Sequence, residues 1–224
     1  MNVKNVVPQL PDLITLLNLL LGFTAIVSLI DGRINLACLL IVIAILADCF
    51  DGFVARRKGI PSKFGMELDS LSDLVSFGVV PGLILYTLFN HSRLAYSSVL
   101  IPICGALRLA RFNIQESREG GFTGLPIPAA GGFLVSLPLI RTPLDELFLL
   151  FVAVSLSALM VSEVRYYKHS SRAGKKPLLV YLFAASLLLP LMSLRLMFAP
   201  FLVYILSGFT KIGSRAHGVA HTVR

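Results

Sequence analysis

Long apolar segments separated by short polar turns run through most of the sequence. A helix needs about 20 apolar residues to cross the roughly 30 Å hydrocarbon core of a bilayer, and the pattern predicts eight such spans. The apolar runs are continuous and do not alternate every second residue, which favours helices over an outer-membrane barrel. The predicted spans are residues 10–30, 34–56, 69–90, 94–113, 126–140, 144–164, 177–191 and 196–209.

The last two predicted spans are short, and Pro190, Arg195 and Pro200 interrupt the stretch that contains them. Proline removes a backbone donor and breaks the helical ladder. This stretch therefore fits either two short spans or one long kinked helix, and we expect two.

The composition excludes the soluble classes of protein. Hydrophobic residues make up 56% of the 224 residues, charged residues only 14%, and the mean hydropathy is +0.82. Soluble domains carry roughly 25% charged residues, and disordered chains have the opposite balance of charge and apolarity. We therefore predict an all-α, polytopic transmembrane helical bundle, in which the last two predicted spans lie at the C-terminal end.

The charge of the chain predicts its orientation. Lysine and arginine total 20 against 12 acidic residues, a formal charge of +8. With the N-terminus inside, sixteen of the 20 basic residues fall in the inner segments and only four in the outer turns. Membrane proteins concentrate Lys and Arg in cytoplasmic loops, so we expect a multi-pass cell-membrane protein with a cytoplasmic N-terminus. The excess positive charge requires no nucleic-acid partner.

Four aspartates lie in or beside the second and third predicted spans, where a charged side chain is costly. Asp48 and Asp51 are three residues apart and share one helical face, and Asp69 and Asp73 are four apart and share another. We expect a twelve-residue basic turn, 57–68, to return the chain, so that the two faces oppose each other at the inner membrane surface. Converging carboxylates repel one another, and all-oxygen ligands select hard divalent ions.

Small and basic residues adjoin this acidic face. Gly52 and Ala55 lie on the same face as Asp48 and leave room beside a metal ion, and Arg56 offers a fork of donors suited to phosphate. The pattern predicts a diphosphate site at the membrane surface. The alternative is that the aspartates form interfacial ion pairs with nearby basic residues.

The spacing Asp-x2-Asp-Gly-x2-Ala-Arg-x8-Gly-x3-Asp-x3-Asp resembles the signature of the CDP-alcohol phosphatidyltransferases. All eight fixed positions are matched, by Asp48, Asp51, Gly52, Ala55, Arg56, Gly65, Asp69 and Asp73. The resemblance implies a six-helix membrane core over residues 1–165. The sequence pattern predicts that a cytoplasmic basic loop with C-terminal spans follows over 166–209, and a polar basic tail over 210–224. The resemblance also implies a homodimer.

The resemblance further implies roles for individual residues. The four aspartates would hold two divalent ions, Mg²⁺ or Mn²⁺, around the diphosphate of a CDP-linked lipid, and Asp73 would also be the general base. The CDP-lipid site would include Gly52, Ala55, Arg56 and Ser62, with weaker candidates Thr15 and Asn18 on one face of the first span. Helix–helix hydrogen bonding is the alternative role for Thr15 and Asn18.

A second group of polar residues, at the end of the fourth span, indicates which alcohol accepts the lipid. Arg108 and Arg111 share a helical face at the end of the fourth span, next to Asn113. The segments RLARFN and FTGLPIPAA resemble the serine-transferring members of the family, the prokaryotic integral-membrane phosphatidylserine synthases. The implied reaction transfers a phosphatidyl or archaetidyl group from CDP-diacylglycerol or CDP-archaeol to L-serine and releases CMP. Arg108, Arg111 and Asn113 are the candidates for binding serine.

Other functions stay open at this point. A family member that uses glycerol 3-phosphate or inositol phosphate would also need arginines. A membrane prenyltransferase would carry its acidic motifs in separate halves of a longer chain. A carboxylate-coupled transporter would typically show paired halves, whereas all four aspartates lie within 26 residues here.

Overall fold

The computed structural model describes residues 10–58, 63–90, 92–115, 122–140, 144–166 and 201–206. The predicted all-α fold is confirmed: these residues are mostly helical, and the strands among them are one antiparallel pair of two-residue segments, β1 (Phe122–Thr123) and β2 (Arg165–Tyr166). The helices are α1 (Leu10–Ile30), α2 (Ile34–Lys58), α3 (Lys63–Asp73), α4 (Val80–Leu88), α5 (Leu100–Gln115), α6 (Ile127–Ser136) and α7 (Glu146–Val161).

Shorter helical segments extend several of these helices. A π-helix, Leu74–Val79, joins α3 to α4, and a 3₁₀ helix, Arg93–Val99, leads into α5. A second 3₁₀ turn, Pro138–Ile140, follows α6. Within the described ranges, three continuous helical stretches are long and apolar enough to cross a membrane: Asp12–Ile30, Lys63–Leu88 and Arg93–Ile114.

Within the described residues, the first six predicted spans coincide with observed helices to within a few residues, except at the third. Helix α1 has the predicted bounds, but α2 continues to Lys58 and α3 begins at Lys63. The twelve-residue turn is therefore wrong, because the segment 63–68 is helical and Gly65 does not interrupt it. Asp69 lies inside a helix and not at its start. The predicted span 177–191 lies outside the described residues, and only 201–206 of the last predicted span is described.

The continuous helix from Lys63 to Leu88 is the most buried of the three long helices. Phe77, Ile84 and Leu85 are fully buried along it and form the core with residues of α2 and α6, among them Ile41 and Leu134. Helix α1 packs against α2 and also against α3 and the π-helix. The residues beyond the core keep many large apolar side chains exposed, as a lipid-facing surface requires.

Two neighbouring helices approach the π-helix closely at glycines. A Cβ atom on Gly131 of α6 would lie 2.8 Å from the carbonyl oxygen of Phe77, and one on Gly22 of α1 would collide with the side chain of Ser76. Residues with side chains at these positions would push the helices apart. The glycines therefore set how near α1 and α6 stand to the π-helix that follows Asp73.

Candidate active site

Three of the four predicted metal-binding aspartates come together in the structure. Asp48 of α2 and Asp69 and Asp73 of α3 each offer a carboxylate oxygen, and these atoms all lie within 4.8 Å of one another. Asp48 and Asp69 are half-buried, and Asp73 is buried. Helices α2 and α3 each contribute to this cluster, as the helical spacing of the aspartates predicts.

The cluster fits a divalent cation on the chemistry of its donors. Carboxylate oxygens are the ligands that Mg²⁺ and Mn²⁺ prefer. Oδ1 of Asp69 is buried and has no hydrogen-bond partner among the described residues. A buried acceptor without a partner is costly, and an ion held by the three carboxylates would satisfy it.

The other predicted residues of the motif lie partly outside the description. Asp51, Gly52, Ala55 and Arg56 belong to α2, whose backbone is described there, but their side chains are not. Ser62 lies outside the described residues. The parts that these five residues play in binding remain predictions.

Three hydrogen bonds join helix α1 to the continuous helix that carries Asp69 and Asp73. The Asn18 side chain donates from Nδ2 to Oδ1 of Asp73 at 3.3 Å. Ser72 Oγ donates to the carbonyl oxygen of Thr15 at 3.1 Å, and Ser76 Oγ donates to that of Asn18 at 3.0 Å. We call Asn18, Ser72 and Ser76 the α1 seam. It places Thr15 and Asn18, both buried, against the helix that carries Asp73.

Arg108 of α5 is buried next to the acidic cluster. Only 8% of the residue is exposed, and its Nε has no hydrogen-bond partner in the part of the chain that the structure describes. Its guanidinium carbon lies 5.6 Å from the centre of the Phe112 ring, in a cation–π contact. Asp73 and Asp48 both act electrostatically on this guanidinium. Arg108 is thus a buried cation with one donor still available.

Arg111 and Asn113 lie further along the same helix and have protein partners. Arg111 Nη1 donates to the carbonyl oxygen of Val161, at the end of α7, at 2.8 Å. The Asn113 carboxamide donates from Nδ2 to Glu67 Oε2 at 3.3 Å and to Ser70 Oγ at 3.1 Å, and its Oδ1 lies 3.2 Å from Ser70 Oγ. Of the three predicted acceptor residues, Arg108 is the one that lies at the acidic cluster.

Sequence reasoning missed Tyr204, which lies near Arg108 and is 8% exposed. It belongs to the helical segment 201–206, where the ring of Phe201 contacts Gly132 of α6. The surrounding sequence is uniformly apolar, so no charge or spacing marks Tyr204. A tyrosine inside an apolar span is the weak signal that could have been followed.

Comparison with known proteins decides the family. The model of the family described as CDP-alcohol phosphatidyltransferase matches residues 8–208. The chain belongs to this family. CDP-alcohol phosphatidyltransferases depend on divalent metal ions, which agrees with the cluster of three carboxylates. Together with the three long apolar helices, the family membership makes this chain a membrane protein.

The similar members of the family are named for transfer to serine. Archaetidylserine synthase of Methanothermobacter thermautotrophicus is 42% identical over 70% of this chain and 69% of its own length. The CDP-diacylglycerol–serine O-phosphatidyltransferase of Methanocaldococcus jannaschii is 40% identical over 82% and 83%. The enzyme of that name from Bacillus subtilis is 39% identical over 74% of this chain and 94% of its own.

Proposed function

We propose that this phosphatidyltransferase moves a phosphatidyl or archaetidyl group from a CDP-linked lipid to the hydroxyl of L-serine and releases CMP. The observation that carries the proposal is the acidic cluster of Asp48, Asp69 and Asp73 with the buried cation Arg108 beside it. The names of the similar enzymes support serine as the acceptor. Because those names include both lipid types, CDP-diacylglycerol and CDP-archaeol are both candidate donors.

The metal site in this proposal consists of the four motif aspartates. Asp48, Asp69 and Asp73 would hold Mg²⁺ or Mn²⁺, with Asp51 as the fourth ligand and two ions in the full site. Such ions, when bound, neutralise the diphosphate and the CMP leaving group. Gly52, Ala55, Arg56 and Ser62 would line the nucleotide side, with Thr15 and Asn18 behind them on α1.

Asp73 takes the proton in the transfer step. The serine hydroxyl is too weak an acid to ionise unaided at neutral pH, so a positioned base is required. The hydroxyl oxygen forms a bond to the phosphorus that carries the lipid, and its proton moves to a carboxylate oxygen of Asp73. The bond between that phosphorus and the bridging oxygen breaks, and CMP leaves with the electron pair.

Arg108 binds the serine carboxylate in this scheme. Its buried guanidinium retains a donor, Nε, that no described residue satisfies, and arginine recognises carboxylates through paired donors. Arg111 and Asn113 have protein partners, so we assign them lesser parts. Glycerol 3-phosphate and inositol phosphate are the competing acceptors, and the assay below separates them.

The proposal also includes a setting in the membrane. The lipid tails would stay in hydrocarbon while serine and CMP exchange with the cytoplasm, with the N-terminus and the site on the cytoplasmic side. The 16-to-4 distribution of basic residues supports this orientation. We further propose a homodimer, with residues 1–165 as the core of each subunit.

An acceptor assay tests the function. Purified full-length protein in nanodiscs is given CDP-diacylglycerol or CDP-archaeol, Mn²⁺ or Mg²⁺, and labelled serine, glycerol 3-phosphate or inositol phosphate. We expect CMP release and a labelled lipid with serine. CMP release only with another acceptor would contradict serine as substrate, and no CMP release with any acceptor would contradict transferase activity.

Residue variants complete this test. Asp73→Asn should bind the CDP-lipid and release no CMP, because the proton has no base to receive it. Asp145→Asn, a change at an exposed residue before α7, is the matched control and should retain full activity. Full activity in Asp73→Asn would remove its role as base.

A further inference from the structure

The carboxamide of Asn18 has one satisfied end and one unsatisfied end. The residue is fully buried, and its Nδ2 donates to Oδ1 of Asp73 at 3.3 Å. A carboxamide beside a carboxylate presents its NH₂ group, because the alternative orientation would bring two oxygens together. The amide oxygen of Asn18 therefore faces away from the Asp73 oxygen to which Nδ2 donates.

Oδ1 of Asn18 is buried and has no hydrogen-bond partner among the described residues. Buried polar atoms in native proteins are nearly always paired, and an exception calls for an explanation such as a ligand. The rest of the α1 seam does not supply one, since Ser76 Oγ donates to the backbone carbonyl of Asn18 and Ser72 Oγ to that of Thr15. The unpaired oxygen is thus available to accept a hydrogen bond from a group outside the described residues.

We propose that Asn18 determines acceptor specificity: its Oδ1 accepts a hydrogen bond from the ammonium group of serine, while its Nδ2 holds Asp73 in place. The inference rests on the proposed function and assigns Asn18 to the acceptor side of the site, away from the nucleotide pocket that the sequence suggested.

Serine has the required arrangement of donors. Its ammonium group is on the carbon next to the hydroxymethyl carbon, so a serine whose hydroxyl meets Asp73 has its ammonium within a few bond lengths of that carboxylate. Asn18 contacts Asp73 directly, and Arg108 interacts with Asp73 electrostatically. Hydroxyl, ammonium and carboxylate would thus meet Asp73, Asn18 and Arg108 respectively, and three contacts fix the orientation of a small chiral molecule.

The test compares serine with 3-hydroxypropanoate, which keeps the hydroxyl and carboxylate and lacks the ammonium. We measure kcat/KM for both acceptors in the full-length enzyme and in Asn18→Leu, which replaces the carboxamide with an apolar group of similar size. Loss of the Asp73 contact lowers both values together, so their ratio isolates Oδ1. We expect the preference for serine to fall about ten- to a hundredfold, as for a hydrogen bond to a charged group.

The control variant is Thr24→Val on the same helix. Thr24 is exposed, and its hydroxyl donates only to the carbonyl oxygen of Leu20 one turn earlier. This change also replaces a polar group of α1 with an apolar one, and it should leave the ratio unchanged. A fall in Thr24→Val equal to that in Asn18→Leu would contradict the proposal.

Three results would separate the inference from the proposed function. A wild-type enzyme that does not use serine would overturn the proposed function itself. An enzyme that uses serine, with the same preference in Asn18→Leu, would overturn only the inference. A rise in KM for the CDP-lipid with that preference unchanged would assign Oδ1 to the nucleotide instead. If Asn18→Leu is inactive, competition of 3-hydroxypropanoate with labelled serine for the CDP-lipid complex gives the ratio of their dissociation constants, and the preference for serine in binding should fall likewise.

Discussion

Asn18 and Asn113 are the same residue type on two helices that both pack against α3, and their carboxamides differ in what they bind. All the polar atoms of the Asn113 carboxamide lie near Ser70 or Glu67. The Asn18 carboxamide uses its nitrogen on Asp73 and leaves its oxygen unpaired within the described part of the chain. The first arrangement is complete without a ligand, and the second is not.

The two arginines of α5 repeat this difference. Arg111 donates to the carbonyl oxygen of Val161, and such an interaction satisfies a carbonyl that the end of a helix leaves without a partner. Arg108 is more deeply buried and keeps an unpaired Nε beside the acidic cluster. Between residues of one type and similar position, we therefore expect the unpaired buried atoms to distinguish binding residues from structural ones.

The largest effect is expected when the acidic cluster itself is changed. Asp69→Asn removes a charge from the three carboxylates and should reduce kcat by more than the roughly 10- to 100-fold that loss of an outer-shell partner of a metal costs. Binding of Mn²⁺, followed by electron paramagnetic resonance, should weaken as well. Asp31→Asn, at the exposed turn after α1, is the control. Unchanged Mn²⁺ affinity in Asp69→Asn would show that Asp69 binds no metal.

Arg108→Gln should raise KM for serine by about 10- to 100-fold, since a charge-assisted bond to the carboxylate is lost. KM for the CDP-lipid should change far less. Steady-state kinetics with each substrate varied in turn provides the measurement. An equal rise in both values would mean that Arg108 binds no part of the acceptor specifically.

Arg111→Gln should affect stability more than specificity. It removes a hydrogen bond from a charged donor at the end of α7, a loss of about 1.5 to 3 kcal/mol in the free energy of unfolding. We expect a lower melting temperature in detergent and an unchanged ratio of the two KM values. If Arg111→Gln raises KM for serine as much as Arg108→Gln does, the proposed difference in role between the two arginines is wrong.

Asn113→Ala should have the smallest effect of the four. The partners of Asn113 are only partly buried or exposed and can hydrogen-bond to water, so about 1 kcal/mol of stability is at stake. Thermal unfolding and the KM for serine are the measurements. A rise in the KM for serine without a change in stability would show that Asn113 also binds the acceptor, as is proposed for Asn18.

The sequence was enough to predict the bounds of α1 and the meeting of three aspartates. An apolar run between polar turns defines a span, and the cost of charge in a membrane makes Asp48, Asp69 and Asp73 conspicuous. Helical spacing then places them on facing surfaces. The apolar run and the spacing of the aspartates are patterns within short stretches of sequence. The structure agrees with both predictions.

The remaining features depend on tertiary partners that no local pattern encodes. Arg111 has a partner because the end of α7, about 50 residues away in the chain, meets it in the fold. Asn18 meets Asp73 across 55 residues. Tyr204 adjoins Arg108 from a uniformly apolar segment, and the early start of α3 at Lys63 follows a stretch that reads as a turn.

The π-helix at Leu74–Val79 divides the continuous helix Lys63–Leu88 into two parts, α3 and α4. It changes the direction in which the side chains of one part face relative to those of the other. Before the π-helix in the chain, α3 carries the carboxylates of Asp69 and Asp73. After it, α4 carries buried residues such as Ile84 and Leu85. Each residue of an α-helix turns the chain by about 100°. Deleting one residue between 74 and 79 would therefore rotate Asp69 and Asp73 away from Asp48 if α4 kept its packing. The wider π-helical turn sets the rotation of α3 relative to α4, so that one continuous helix presents aspartates to the acidic cluster and apolar side chains to the core.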